Sequence, residues 1–292
     1  MFAVLLSEQE KRFIAQGIEK NVREDGRSCR DMRHITVTTG DVSSTSGSSR
    51  LQMNGNDVVV GVKAEIGQPN STSRDKGIIK FSVDCSAVAS PEFEGRGADD
   101  VSNTISHTLS QLYNHPSALD LASLCIVPDE QCWILYVDAL VLQHGGNMVD
   151  ALSFATLAAL TNTRIPSLHV NRGEDGEAVE IEVSDDPSDC HPLDLSGVPV
   201  TVTLSKIGSS CVVDTTAKEE MCTDASLVVG INRNGRVCSL QKTGSGTLSL
   251  VLMTDMIETA KTIGSKVISS IETVASRSRK ESADTDVSFL VS

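Results

Sequence analysis

Aromatic side chains are scarce in this 292-residue chain: six Phe, two Tyr and one Trp, 3% in all. A core must therefore be assembled from Val, Leu, Ile and Ala, which favours β-branched strands packed against Ala/Leu-rich helices. No segment reaches the ~18 consecutive apolar residues of a membrane span. The opening MFAVLLSEQEKRF has no charged region ahead of its short apolar run, unlike a secretory signal, and reads as an amphipathic helix through about Asn21. An intracellular chain is the expectation. Eight cysteines (Cys29, Cys85, Cys125, Cys132, Cys190, Cys211, Cys222 and Cys238) are scattered with no C-x-x-C pair. They are expected to be reduced, small hydrophobes and not a zinc or disulfide framework. The six histidines show no H-x-x-x-H or similar spacing, so neither a metal nor any other cofactor is expected.

Positive charge is also short. The formal net charge is −14 and the pI near 4.8, whereas a protein that binds nucleic acid alone usually carries a basic patch and a high pI. Much of the acid lies between Glu174 and Asp194, in EDGEAVEIEVSDDPSDCHPLD, without a Lys or Arg. VREDGRSCRDMR, residues 22 to 33, instead carries Arg23, Arg27, Arg30 and Arg33. Solvated surface is the plainer reading of both runs. An RNA partner would meet a local patch and not the whole surface.

The length suits two modest domains or one large one. Strand-like alternation appears at His34–Thr39, Val58–Glu65 and Ile78–Asp84, and a polar loop at Ala89–Gly97. Val101, Ile105, Leu109 and Leu112 recur at three- and four-residue steps in a helix from about Asp99 to Tyr113. Cys132–Gln143 reads as a long buried strand and Met148–Asn162 as a second helix. After Gly197 and Pro199 a second round begins: strands at Val200–Lys206, Ser210–Asp214, Ser226–Asn232 and Val237–Gln241, with Asn234–Gly235 at a hairpin turn. A helix of about Leu250 to Ala275 precedes a frayed tail. This order predicts an α+β chain of two related halves meeting near residue 196, each a sheet covered by helices.

Between the long strand and the second helix lies LVLQHGGNMVDALS. A glycine pair at a helix start turns backbone N–H groups outward and favours an anion. Gly145 and Gly146 thus have the form of a phosphate cradle. Asn147 and Met148 follow, where a charged or hydroxyl donor would serve a phosphate better. His144 invites a catalytic role but has no evident partner and reads as a strand-end residue.

Several stretches together resemble the RNase PH-like proteins that form the ring of the RNA exosome. They are REDGRSCRDMRHITV, SSTSGSSRLQMNGNDVVVGVKAEIG, SPEFEGRGADDVSNTISHTL, LDLASLCIVPDEQCWILYVDALVLQHGGNMVDALSFATLAALTNTRIP and SKIGSSCVVDTTAKEEMCTDASLVVGINRNG. They run in the family's order over nearly the whole chain. PEFEGRG, the LCI-to-CW spacing, and GGN followed by DA and NTRIP resemble its non-catalytic branch. The resemblance implies an RNase PH-like fold whose N-terminal half is like domain 2 of ribosomal protein S5. The divisions expected are an N-terminal helix and arm (1–30), domain 1 (31–196), domain 2 (197–276) and a flexible tail (277–292).

The resemblance also implies partners. These are other RNase PH-like subunits in a six-membered ring, nearest the Mtr-three-type subunit, S1/KH cap subunits, a separate hydrolytic exoribonuclease, and RNA threaded through the channel, with no membrane. Nucleus, nucleolus and cytoplasm are the implied locations. Active members hold phosphate with a Thr/Ser-Arg pair directly after the glycines, replaced here by Asn147–Met148; a thioether cannot replace the bidentate grip of Arg. They also carry tandem arginines before the Asp99 helix, which match Arg96 and Gly97. Asp224, in KEEMCTDASLVVG, matches the general-acid region. The expected RNA contacts are Arg27, Arg30, Arg33, Arg50, Lys63 and Arg96, and a scaffold is expected in place of an enzyme. An active phosphate-dependent 3′-to-5′ exoribonuclease, or a module whose Glu174–Asp194 stretch binds a basic protein, are the alternatives.

Overall fold

The computed structural model describes residues 6–95, 97–115, 117–171, 180–184, 186, 189–278 and 287–289. Its first half contains α1 (Glu8–Glu19), β1 (Ile35–Thr39), β2 (Gly47–Met53), β3 (Asn56–Gly67), β4 (Ile78–Cys85), α2 (Gly97–Tyr113), β5 (Cys125–Val127), β6 (Gln131–Gln143) and α3 (Met148–Asn162). Four short strands follow: β7 (Arg164–Pro166), β8 (Leu168–Asn171), β9 (Glu180–Val183) and β10 (Cys190–Pro192). The second half contains β11 (Val200–Ile207), β12 (Ser210–Val213), α4 (Ala217–Glu220), β13 (Ala225–Ile231), β14 (Val237–Thr243), α5 (Leu250–Ser278) and β15 (Val287–Phe289).

Two main sheets result. The larger has the order β15-β1-β2-β3-β6-β4, with β5 beside β6; β4 runs parallel to β6 and the other pairings are antiparallel. Along β3 the buried Val58, Val60 and Val62 alternate with more open Val59, Gly61 and Lys63, the period-two pattern of a sheet with one covered face. The smaller sheet has the antiparallel order β12-β11-β13-β14. Helix α3 packs against β2 and β3 of one sheet and against β11 and α5 of the other half. It is apolar nearly all round, and its residues from Ala151 to Leu160 are all buried, as a helix enclosed on every side must be. α5 covers the smaller sheet with Met256, Ala260, Ile263, Val267, Ile271 and Val274 at three- to four-residue steps. One apolar cluster runs through both halves. Each half owns a sheet, but the core is shared.

The α+β class, both principal helices and most strands lie where the sequence places them. Strand β2 is a difference. Its SSTSGSSR context lacks strand propensity, yet Gly47, Ser48 and Ser49 are buried against α3. Close approach selects these small residues: the Ser49 hydroxyl donates to the Ala155 carbonyl at 2.7 Å, and a Cβ on Gly47 would lie 2.6 Å from the Thr163 nitrogen. The C-terminal stretch expected to fray, 277–292, is described only at 277–278 and 287–289. α5 continues to Ser278, and Val287–Phe289 pairs with β1, placing Phe289 opposite Ile35 and covering a sheet edge. Of the acidic stretch, Glu180–Val183 forms β9 on β8, while Glu174–Val179, Asp185, Pro187 and Ser188 lie outside the described residues.

The fit at β2 is testable. Gly47→Ala should lower unfolding stability by about 1–3 kcal/mol through overpacking against the α3 terminus, seen as a lower urea midpoint.

Candidate anion site at the start of the buried helix

The glycine pair sits where β6 hands over to α3, and protein closes on it from two sides. A Cβ on Gly145 would lie 2.7 Å from the Gly55 carbonyl oxygen; one on Gly146, at φ +95°, would lie 2.5 Å from the Ala217 nitrogen. Only glycine fits either place. The pair's polar groups are taken up internally. Gly145 N–H donates to Asn56 Oδ1 at 2.6 Å, and its carbonyl accepts from Ala217 N–H and Arg33 Nη1. The Gly146 carbonyl accepts from Arg33 Nη2 at 2.9 Å and Asn56 Nδ2 at 2.7 Å.

Asn147 then adopts left-handed backbone geometry, φ 53° and ψ 51°, which Asn tolerates better than most residues. Its N–H donates to Glu220 Oε1 at 2.7 Å. A carboxylate from this chain therefore lies at the helix start, where the dipole and the free N–H groups favour an anion. The Asn147 amide group donates to Asp150 Oδ2 at 2.9 Å and to Asp214 Oδ1 at 3.0 Å. Met148 is buried in the core, its sulfur 3.9 Å from Cys85 Sγ, and offers nothing to a ligand.

Asp214 is the hub. It follows β12 with φ +50° and is fully buried. Its carboxylate accepts from Arg33 Nε and Nη2 at 2.9 and 2.7 Å, from the Arg33 backbone N–H at 2.9 Å, and from Arg27 Nη1 at 3.0 Å. Burial alone would raise its pKa, but the bonds and charge of Arg33, then the charge of Arg27, outweigh burial and hold it below the usual carboxylate value. Next to it the buried Arg23 grips Glu219 in two parallel bonds of 2.8 and 2.6 Å and donates to the Asp214 carbonyl.

Two other carboxylates go the opposite way. Asp150 points into the core, accepting from Thr203 N–H at 2.6 Å and the Thr203 hydroxyl at 2.8 Å, and burial pushes its pKa up to about 6 despite these bonds. Glu220 is pushed up to about 7, first by the protein packed around its carboxylate, while the Asn147 N–H and Arg33 pull it down and Asp214 and Glu92 add to the rise. The residue as a whole still faces solvent, so the shift is a weaker statement about stability than that of Asp150.

The structure redistributes the residues singled out from the sequence. Gly145, Gly146 and Asn147 form the handover from β6 to α3, and Met148, the first residue of α3, is buried in the core. Arg33, expected as an RNA contact, is instead 3% exposed and spent on Asp214 and the two glycine carbonyls. Arg27 lies beside it, half-buried, bonded to Asp25 and Asp214, and lines an open cleft of about 460 Å³ with His34, Gln52 and Asn54. Arg30 is exposed on the far side, bonded to Asp255 of α5; Arg50 pairs with Asp57 and Lys63 with Glu65 on the outer face of the large sheet. Each of these cations has a carboxylate partner, and they do not form one patch. Arg96 lies outside the described residues.

Asp224 does not reach the glycine pair in any bond described: it is exposed at the head of β13, its N–H held by the Lys206 carbonyl. The carboxylates that do converge there are Asp214 and Glu220, both missed from sequence. The available signal was an Asp closing the apolar strand SCVVD six residues before the second Glu of KEE. His144 packs its ring 5.5 Å from Phe93, and burial lowers its pKa. Among the described residues, no group of three or more His, Cys, Asp or Glu side chains is arranged to hold a metal.

Comparison with known proteins bears on the family and the fold. The sequence profile of the 3′ exoribonuclease family, domain 1, matches residues 31–166, and that of domain 2 matches residues 197–263. The chain is 37% identical to a Dictyostelium discoideum protein named as an exosome complex exonuclease, RRP42, over 90% of this chain and 95% of the relative. It is 33% identical to the exosome complex component Rrp42 of Methanothermobacter thermautotrophicus, over 84% and 88%. Among solved structures it resembles a chain of the Archaeoglobus fulgidus exosome with RNA bound to the active site, with a TM-score of 0.75 and 27% identity over 89% of this chain and 96% of that one.

The raised carboxylates set a pH dependence. Native Asp150 keeps its proton up to about pH 6, where the unfolded chain has lost it near 3.8, so the native state binds more protons in that window. Stability therefore falls as pH rises through it, by up to about 3 kcal/mol for this group. Asp214 acts in reverse, losing its contribution only as pH drops below the ordinary carboxylate range. The urea midpoint should be highest near pH 4 and decline to about pH 6 before levelling, and Asp150→Asn should flatten that decline.

Proposed function

Since the chain belongs to the 3′ exoribonuclease family of RNase PH-like proteins, we propose that it is a catalytically silent ring subunit of the RNA exosome core. Within that core it is the subunit called exosome component seven. One observation carries the reading: the anion position at the start of α3 is held by Glu220 on the Asn147 N–H. Phosphorolysis requires inorganic phosphate beside the scissile backbone. Here the nearest guanidinium, Arg33, is turned to Asp214 and to two carbonyls, and the residue after Asn147 is the buried Met148. Among the described residues, neither the Arg33 guanidinium nor the Met148 side chain is free to clamp a phosphate.

The chain would act by shape. Paired with its Mtr-three-type neighbour in a six-membered ring, beneath S1/KH cap subunits, it would wall the channel through which RNA passes to a hydrolytic exoribonuclease. Ribosomal RNA maturation, messenger RNA turnover and RNA surveillance in nucleus, nucleolus and cytoplasm are the corresponding roles. Ring neighbours explain how an acidic protein can serve RNA, because the positive field need not come from this subunit. Of the expected RNA contacts among the described residues, Arg30, Lys63 and Arg50 have the side chains most open to solvent, 66%, 59% and 43% exposed, and are those an RNA strand could reach.

An active phosphate-dependent exoribonuclease is the competing class, and an assay separates the two. The purified chain, given 3′-labelled RNA and inorganic phosphate, should release no nucleoside diphosphates above background. Release that disappears in Glu220→Gln would overturn the scaffold reading.

A further inference from the structure

The LCI-to-CW segment has no part in the anion site. Cys125 on β5 and Cys132 on β6 are partners across an antiparallel ladder. Residues directly opposed in such a ladder have Cα atoms about 4.5–5.5 Å apart, inside the ~4.4–6.8 Å a disulfide spans. The turn between them is fastened from outside: Asp129 N–H donates to the Arg74 carbonyl at 2.9 Å, and the Arg74 guanidinium meets the Asp129 carboxylate at 3.0 Å. The register that opposes the two cysteines does not depend on β5 alone. Both are free thiols.

Their surroundings differ in a useful way. Cys132 is fully buried, while Cys125 is half-buried. Cys125 is thus the member of the pair nearer solvent and Cys132 the member within the core. Burial pushes both thiols up from the ordinary cysteine value, and Asp75 and Asp129 add to the rise at Cys125. Thiolate is therefore scarce at neutral pH and exchange is slow, in keeping with a pair that rests reduced.

We propose that Cys125 and Cys132 are a modification site, closing into a reversible disulfide by exchange with a low-molecular-weight disulfide such as oxidised glutathione. The Cys125 thiolate attacks one glutathione sulfur; the glutathione S–S bond breaks, one glutathione thiolate leaves, and a mixed disulfide forms at Cys125. The Cys132 thiolate then attacks Cys125 Sγ, breaking the mixed bond and releasing the second glutathione. Two electrons and two protons pass from the protein dithiol to glutathione, which leaves as two thiols. The product staples β5 to β6 beside the buried Trp133.

The full-length protein, equilibrated in buffers of graded reduced-to-oxidised glutathione ratio, acid-quenched, alkylated and peptide-mapped, tests this. The expected result is joint loss of the Cys125 and Cys132 alkylation sites as the ratio becomes oxidising, with their peptides linked and both sites restored by reductant. Cys125→Ser should abolish the linkage while leaving the circular dichroism melt of the reduced protein within a few degrees of wild type, and Cys132→Ala provides a second, independent loss. Two outcomes overturn the proposal: both thiols alkylating fully at every ratio, or Cys125 stopping as a stable glutathione adduct with Cys132 still free.

Discussion

The buried carboxylate of Asp214 is the interaction around which the two halves of this protein are organised. Helix α3 is enclosed between two sheets, so its first turn opens into the protein and cannot rely on bulk water for its polar groups. Asp214 supplies the negative charge there, and Arg33 and Arg27 balance it. Arg33 in turn holds the carbonyls of Gly145 and Gly146, and Asn147 links Asp214 to Asp150. Strand β12, the arm before β1 and the start of α3 thereby become one network. Removing any member would leave a buried charge or amide without its partner, which costs more than the bond itself contributes.

The same arrangement bears on the proposed loss of phosphate binding. A glycine pair at a helix start is the geometry of an anion cradle, and the geometry persists. Its occupant is Glu220, from α4 of the second half, which lies against the glycine pair. An internal carboxylate is always present at high effective concentration, so a dissolved anion would have to displace it as well as bind. Met148, beside the cradle, is spent on core packing against Cys85.

The sequence made some of this visible and hid the rest for identifiable reasons. Helix α3 was legible to its ends because its Ala/Leu run is long and follows a glycine pair. The burial of Met148 and the inward bonding of Asn147 were foreshadowed only by their residue types, which carry no charge for a phosphate. Strand β2 was not, because Gly47, Ser48 and Ser49 are chosen for closeness to α3 and carry no hydrophobic alternation. Arg33 looked like a surface cation because its partner, Asp214, lies 181 residues away along the chain. Asp224 was singled out by resemblance of its segment to the family's general-acid region, whereas Asp214 and Glu220 gain meaning only once β12 and α4 fold back on the glycine pair. Local pattern reveals elements; long-range charge pairing has to be seen in space.

The central claim is that the cradle is closed to external anions by the chain's own groups. A calorimetric titration of the purified protein with inorganic phosphate, at matched ionic strength and neutral pH, tests it most directly. The account predicts no saturable heat up to millimolar phosphate. One-to-one binding in the micromolar range, lost in Arg33→Ala or on substitution of Asn147, would contradict it.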